Sequence, residues 1–480
     1  MSLRTVLLCF FAFVALVSLN AQQYALCDDA SARAFADIYN IDVAKFKTDV
    51  ALVQDKAKRS FLREYMALMT YTTANSPENY KAYMAASDKA FADVEGSAYE
   101  ANFLCQLHVH KCMVLMYDGS MVSGGLQFWK AYRQFKTAEQ EYPSYVGQLA
   151  WRGIFNVLLS QIPDKWRSLA GFFGFGDGNL KLGFEQIEQY RQKVENVRGV
   201  ADEALVFSFV NMFFSQKQDL SDLLTQKIKA NRTAVVIYAY ILSCGRRQMG
   251  QEAERVLDGC PSELFERFPL LVHQKAKYAL RRLDADAVLR LDKQFLAAYK
   301  GVSNVNDAYL QMAYAYLLSG DRSLAQSMVD KCVAISADFD IDQRTHDEGL
   351  TAMSVDVNML KARLLFEYGN FSQAKSQLLS FAPRADDKVE HIFRRARAEE
   401  KLGNLSEAVK FYDSVIALSS NSTRYFGPYS AVYAADIMLR KGDKAAARRY
   451  ALKARALNDG EYQKELEQRI ALTLRTIEDK

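Results

Sequence analysis

Proline and histidine are scarce in this chain, and neither charge sign dominates. Only seven prolines occur in 480 residues. A proline inside a helix removes a donor and clashes with the preceding turn, so their scarcity leaves long helices uninterrupted. The five histidines (His108, His110, His273, His346 and His391) never form H-E-x-x-H. No G-x-S-x-G elbow and no G-x-x-x-x-G-K-[ST] loop occurs either. Catalysis therefore finds no foothold, and the chain is expected to be no enzyme and to hold no cofactor and no metal. A formal net charge of +4 is nearly neutral for this length and gives no support to nucleic-acid binding. Half of the residues are hydrophobic, which excludes disorder as the general state.

The first 21 residues read as a secretory signal. Arg4 is a short basic region, Val6 to Leu19 is apolar, and Leu19-Asn20-Ala21 is a small-residue cleavage site. The apolar run is short for a spanning helix, and an uncleaved anchor is the lesser alternative. Export to a periplasm, to an outer-membrane-associated position or outside a cell is the expectation. Six of the seven cysteines then remain: Cys27, Cys105, Cys112, Cys244, Cys260 and Cys332. An even number in an oxidising compartment permits disulfides without prescribing them. Cys105 and Cys112 lie about 10 Å apart by helical rise and cannot bridge. Cys244 with Cys260 is the pair to test, with buried free thiols the equal alternative. Cys105, His108 and Cys112 share a helix face, but three ligands over two turns cannot all meet one zinc, so a packed face is the expectation.

Residues 30–94 read as two or three amphipathic helices, one started by Ser76-Pro77-Glu78. Residues 100–117 and 124–142 read as a pair. Val206 to Phe214 reads as a buried segment, helical by the company it keeps. The most apolar part beyond the leader is Gly147 to Gly183. Ile154, Val157, Leu158 and Gln161 recur at helical spacing, with Phe155, Leu159 and Ile162 widening the stripe. Pro163 ends that helix, and a second one carries Trp166, Leu169 and Phe172 into Gly171-Phe172-Phe173-Gly174-Phe175-Gly176-Asp177-Gly178. The expectation is a core plug. The alternative is an exposed tip of Phe172, Phe173 and Phe175 for a lipid surface or a partner.

The last third repeats itself. Aligned on Gly320, Gly369, Gly403 and Gly442, the chain has Ala313, Ala362, Ala396 and Ala435 seven positions earlier, and Ala325, Ala374, Ala408 and Ala447 five positions later. A small residue where two helices cross, with glycine in the turn between them, is the tetratricopeptide pattern. The turn spacings are 49, 34 and 39 residues, and the middle one is the standard period. The excess in the first lies in Ala337 to Gly349, a polar acidic insertion. The fold class is therefore all-α, a tetratricopeptide-type solenoid of helical hairpins with a right-handed superhelix. The expected division is a signal over 1–21, an N-terminal helical region over 22–290 containing the apolar hairpin 147–183, and tetratricopeptide repeats over 291–480.

Two blocks carry a resemblance. Gly125, Ala131, Tyr132, Trp151, Gly153, Phe155, Asn156, Leu158, Leu159, Ser160, Pro163, Gly171, Phe172, Gly174, Phe175, Asp177 and Gly183 form the first. Tyr425, Pro428, Tyr429, Gly442, Asp443, Ala447, Lys453, Ala454, Arg469 and Ile470 form the second. Together they resemble the tetratricopeptide repeat protein 39 / inclusion-body clearance family. This chain differs in its Gly-Phe-Gly-Asp-Gly ending and in its leader. The resemblance implies an all-helical repeat fold and a binding or lipid-homeostasis role, with no catalytic residues to carry over.

Stacked hairpins curve, and the first helix of each repeat lines the concave face. The alignment puts Tyr314, Leu317, Met359, Arg363, Phe366, Phe393, Arg394, Arg397, Tyr429, Asp436 and Arg440 there. Arginine mixed with aromatics suits an extended peptide or a carboxylate. The competing reading pairs these arginines with Glu367, Glu399 and Glu400 on a solvated face. The leading functional reading is a non-catalytic protein- or peptide-binding scaffold of the cell envelope. A lipid-surface protein working through the Phe172–Phe175 tip is the alternative, and a helical-shell enzyme or nutrient-binding protein comes third.

Overall fold

The computed structural model describes residues 26, 28–143, 146–162, 164–197, 200–214, 233–336, 340–420, 422–458 and 460–478. The expected signal, Cys27 and Pro163 lie outside them, as do the side chains of Trp166 and Leu169. Among the described residues every regular element is a helix. Most helices pack antiparallel in hairpins: Lys56–Thr73 on Pro77–Val94, Glu100–Tyr117 on Met121–Glu141, and, across the intervening Asp164–Phe172, Gly147–Ser160 on Leu180–Val194. The later hairpins are Ala234–Arg247 with Gly250–Asp258, Leu270–Arg281 with Ala285–Ala298, and Val305–Ser319 with Arg322–Ala334. Then come Val357–Tyr368 with Phe371–Leu379, Lys388–Lys401 with Leu405–Leu418, and Phe426–Arg440 with Lys444–Ala456, closed by Gln463–Glu478. This is an all-α, tetratricopeptide-type solenoid.

The turn chemistry explains the hairpins. Gly320, Gly369, Gly403 and Gly442 all have φ between 80° and 104°, the left-handed region. In each case the residue after the glycine sends its amide back to the carbonyl five positions before it, as in Asp321 to Tyr316 and Asn404 to Glu399, both at 2.9 Å. That bond satisfies carbonyls which the helix end would otherwise strand. Asp321 and Asp443 then cap the second helix, accepting from the amides of Leu324 and Ala446. All eight repeat alanines are buried, at 0–1% exposure.

The same register recurs where the sequence shows no glycine. Gln248 and Leu283 have φ of 55° and 68° and make the same returning bonds, Met249 to Cys244 and Asp284 to Ala279. Ile241 and Ala276 lie seven positions earlier, Ala253 and Val288 five later, and all four are fully buried. Turn strain at the glycine positions is separable from turn packing. Added methyls at Gly320 meet open space, whereas at Gly369 they run into the carbonyl of Gln248. Gly320→Ala is expected to cost about 1 kcal/mol, the left-handed penalty alone, and Gly369→Ala at least twice that. Urea unfolding of the two variants checks the order.

One apolar core runs from Leu26 to Tyr368. Position 290 falls inside it, within the Ala285–Ala298 helix. The first helix, Asp29–Tyr39, packs across Lys56–Thr73, Val200–Phe214 and Ala234–Arg247. Its Phe35, Ile38 and Tyr39 are fully buried. Asn75 ties this region to the middle of the chain. Its Oδ1 accepts from the Ser303 amide at 3.1 Å, from the Ser303 hydroxyl at 2.8 Å and from the Tyr299 hydroxyl at 3.4 Å. The other cores are small and separate, around Phe393 and Tyr412, around Val432 and Ile470, and around Met359 and Leu378.

Three expectations change in detail. Residues 30–94 hold four helices, because Ile41 turns left-handed after Asp29–Tyr39 and the chain breaks again after Val43–Ala51. The insertion at 337–349 is largely helical, Asp340–Thr351, and packs on the Val305–Ser319 hairpin. Cys244 and Cys260 are both free thiols. Cys244 stands beside the hairpin turn and Cys260 beyond the far end of Gly250–Asp258, about 13 Å on by helical rise, and its Sγ donates to the Val256 carbonyl.

Candidate functional site, the concave face of the C-terminal hairpins

The first helices Val357–Tyr368, Lys388–Lys401 and Phe426–Arg440 lie side by side, and they bring most of the sequence-named residues together. Tyr433 is the hub. The Arg397 guanidinium lies 3.7 Å from its ring centroid and that of Arg469 lies 4.6 Å from it. Arg397 also reaches over Phe366 at 5.6 Å and donates to Glu400 at 2.5 Å. Glu400 accepts from Arg440 at 2.9 Å and from the Tyr412 hydroxyl at 2.6 Å. Arg394 donates to Glu390, which Arg424 also reaches at 3.3 Å. Arg363 pairs with Glu348 at 2.8 Å and stands over Tyr314, whose hydroxyl donates to the same carboxylate at 2.6 Å.

The arginines are therefore held by carboxylates, as the competing reading had it, with Glu400 and Glu367 among the partners and Glu399 not. Glu400 takes Arg397 and Arg440. Glu367 takes Arg363 at 3.9 Å and Arg281 at 3.4 Å. Glu399 is bound instead by Lys375 and Asn404. Most of these groups are half-buried. Burial would raise the Glu390 and Glu348 carboxyls, but Arg394 and Arg363 hold them below the ordinary range. Burial pushes the Tyr425 phenol up to about 12. The face is thus a fixed array of charge-assisted bonds between aromatic rings, not a set of loose surface charges.

Phe393 is buried at 7% exposure against Tyr425, Phe426 and Tyr433, and so supports the face from beneath. Leu317 and Met359 are core residues. Tyr429 stands between Tyr425 and Tyr433 at ring distances of 5.7 and 6.0 Å. Asp436 pairs with Arg469 at 2.7 Å. Residues that the sequence reading did not name include Tyr433, Glu390, Glu348 and Arg424. Tyr433 was in reach, since Tyr425, Tyr429 and Tyr433 recur at i, i+4 and i+8 on one helix face.

The apolar stretch at 147–183 divides. Trp151 and Phe155 are core, at 1% and 2% exposure, and Phe175 packs on Phe128 and Tyr132. Phe172 and Phe173 are exposed at 83% and 52%. Trp129 Nε1 donates to the Phe173 carbonyl at 3.1 Å, which ties the tip to the Met121–Glu141 helix, where Val122 and Leu126 are also exposed, at 89% and 50%. His108 Nδ1 donates to Gln127 Oε1 at 2.7 Å, while Cys105 and Cys112 are buried. Among the described residues no group of three or more His, Cys, Asp or Glu is placed to hold a metal, and no helix is long and apolar enough to cross a membrane.

No family model matches the chain. No curated protein matches it. Among solved structures, the chain is similar to the tetratricopeptide domain of P58(IPK), at 14% identity over 84% of this chain and 97% of that one, with a TM-score of 0.22. It is also similar to the APC/C hetero-tetramer Cut9–Hcn1, at 12% identity over 98% and 99%, again with a TM-score of 0.22. Superpositions that loose add nothing to the hairpin register described above, on which the fold class rests.

Proposed function

We propose that this protein is a non-catalytic scaffold that binds an extended protein segment along the concave face of its last three hairpins. The carrying observation is the Tyr433 hub, where the guanidinium groups of Arg397 and Arg469 both lie within 5 Å of one ring centroid and Phe366 and Tyr429 extend the row. In the N-terminal part the Asp29–Tyr39 helix already covers Lys56–Thr73, Val200–Phe214 and Ala234–Arg247. The C-terminal first helices present rigid aromatics at low entropic cost, with guanidinium groups already oriented by carboxylates. The leader-like start of the sequence places the scaffold in the cell envelope in this reading, and the two blocks quoted above make it an exported relative of the tetratricopeptide repeat protein 39 group. N-terminal sequencing of exported protein is expected to begin at Gln22.

The test is a crosslinking pull-down from the native host envelope, followed by binding of the purified partner to wild type and to Tyr429→Ala/Tyr433→Ala. The double variant removes ring area from the open side while the supporting Phe393 stays. Loss of the partner by tenfold or more, with helical content retained, supports the groove. An equal affinity in both forms sinks it. The exposed Phe172 and Phe173 favour a second reading, attachment to a lipid surface. Liposome flotation that survives the tyrosine variant and disappears in Phe172→Ser/Phe173→Ser would move the function to that tip.

A further inference from the structure

One edge of the concave face carries more positive charge than its carboxylates neutralise. Lys401 is half-buried, with its ammonium 5.8 Å from the Phe371 ring centroid. Phe371 in turn lies 5.2 Å from Phe366, over which Arg397 reaches. Lys401 feels the like charges of Arg397 and Arg440 and the opposite charge of Glu400. Glu400 is itself taken by Arg397 and Arg440. Among the described residues no carboxylate lies within ion-pair distance of Lys401. Burial and these neighbouring cations hold its ammonium below the ordinary lysine range.

A half-buried cation in that setting is a desolvated charge awaiting a counter-charge. The two phenylalanines beside it offer apolar contact to whatever brings the counter-charge, which a bare inorganic ion cannot use. We infer that Lys401, with Arg440 at its rim and Phe366 and Phe371 beside it, is the docking point for a carboxylate side chain of an acidic, partly apolar peptide segment. This assignment rests on the groove reading above and names the chemistry of its ligand. The carboxylate takes the open side of the ammonium, and its neighbouring apolar residue covers the Phe366–Phe371 pair.

The probes are fluorescent nonapeptides alternating glutamate with leucine, and the same peptides with glutamine for glutamate. Fluorescence anisotropy reads their binding to the full chain, to Lys401→Met, to Arg440→Gln and to Tyr433→Leu. Lys401→Met keeps the packing on Phe371 and removes only the charge. The inference expects a preference of tenfold or more for glutamate, lost in Lys401→Met and reduced in Arg440→Gln. The glutamate series is also expected to weaken as salt rises. Tyr433→Leu is expected to weaken both peptide series alike. Unchanged glutamate preference in Lys401→Met overturns the assignment and leaves the groove standing. If neither series binds and Tyr433→Leu changes nothing, the groove reading fails and takes this one with it. Inorganic phosphate as a competitor is the remaining arm. Phosphate binding at Lys401 without peptide binding overturns the peptide ligand in favour of a free anion.

Discussion

Replacing Asp307 by asparagine is expected to cost about 3 kcal/mol of stability, the range for breaking a buried ion pair from one side. Asp307 sits on Val305–Ser319 and joins three consecutive helices. Its Oδ2 takes His273 Nε2 at 2.9 Å and Lys277 Nζ at 2.7 Å, both from Leu270–Arg281. His273 Nδ1 faces Asp292 of Ala285–Ala298 at 3.4 Å, and the His273 ring lies 4.8 Å from that of Phe295. His273 and Asp292 are fully buried, while Asp307 keeps 14% of its side chain exposed. Burial alone would raise the Asp307 carboxyl. Lys277 and His273 outweigh it and hold that group far below the ordinary carboxylate range. Burial alone would lower His273, and Asp292 with Asp307 outweighs it, so the imidazole titrates above its usual value.

These shifts fix the pH dependence. His273 binds its proton more tightly folded than unfolded, so its contribution is complete below about pH 6.5 and is lost as pH rises through the folded value. Asp292, pushed up to about 6 mainly by burial, likewise makes the fold less stable as pH rises toward 6. Asp307 works in the other direction, and its contribution is lost only in strong acid. Unfolding midpoints of the native protein are expected to fall from pH 5.5 to 8.5 on account of this cluster. Asp307→Asn lowers the midpoint throughout and flattens that fall, because His273 loses the carboxylate that raised it. A variant with the native slope would show that His273 is neutral in the fold. Asp307→Asn/His273→Leu is expected to recover part of the loss, since it removes one of the two stranded cations.

The hairpins were legible wherever a glycine marked the turn. Gly320, Gly369, Gly403 and Gly442 announced four of them, and the buried alanines on either side set the register. Gln248 and Leu283 make the same left-handed turn without advertising it, because the returning amide bond and the packing hold side chains that rarely choose that conformation. The clustering of Phe366, Arg397 and Arg440 was legible by position, since arginine and aromatic residues recur on the first helices. The carboxylates were not, because a local pattern does not reveal which of Glu348, Glu367, Glu390, Glu399 and Glu400 turns inward. Glu348 comes from the Asp340–Thr351 helix, whose polar acidic composition hides its amphipathicity. Contacts between distant parts, such as Asn75 with Ser303 and Asp42 with Arg267, leave no local signal at all.

The glycines of the 147–183 stretch divide into those that the fold needs and those that it does not. Gly153 on Gly147–Ser160 faces Gly183 on Leu180–Val194, and the two backbones touch where the helices cross. A Cβ on Gly153 would stand 2.7 Å from the Gly183 carbonyl oxygen, and one on Gly183 would stand 2.7 Å from the Gly153 carbonyl oxygen. Backbone atoms cannot rotate away as a side chain can, so either methyl must separate the helices. Gly178 is tighter still, because its Cβ would overlap the amide of Ser160. Asn156 closes the same junction, accepting from the Asn179 amide at 3.2 Å and donating to Gln186 at 2.9 Å. Gly153→Ala and Gly183→Ala are each expected to cost about 3 kcal/mol, at the upper end for overpacking, and Gly178→Ala at least as much. Gly125→Ala and Gly171→Ala meet open space and are expected to stay within about 0.5 kcal/mol of the native protein, or gain slightly from helix propensity. Denaturant unfolding of the five variants reads the division. Equal losses at Gly125 and Gly153 would mean that backbone freedom, and not the crossing, is what these glycines supply. The expected split would tie Gly153, Asn156 and Gly183 to the helix crossing itself, and would leave Gly125 and Gly171 on the exposed side, next to Leu126 and Phe172.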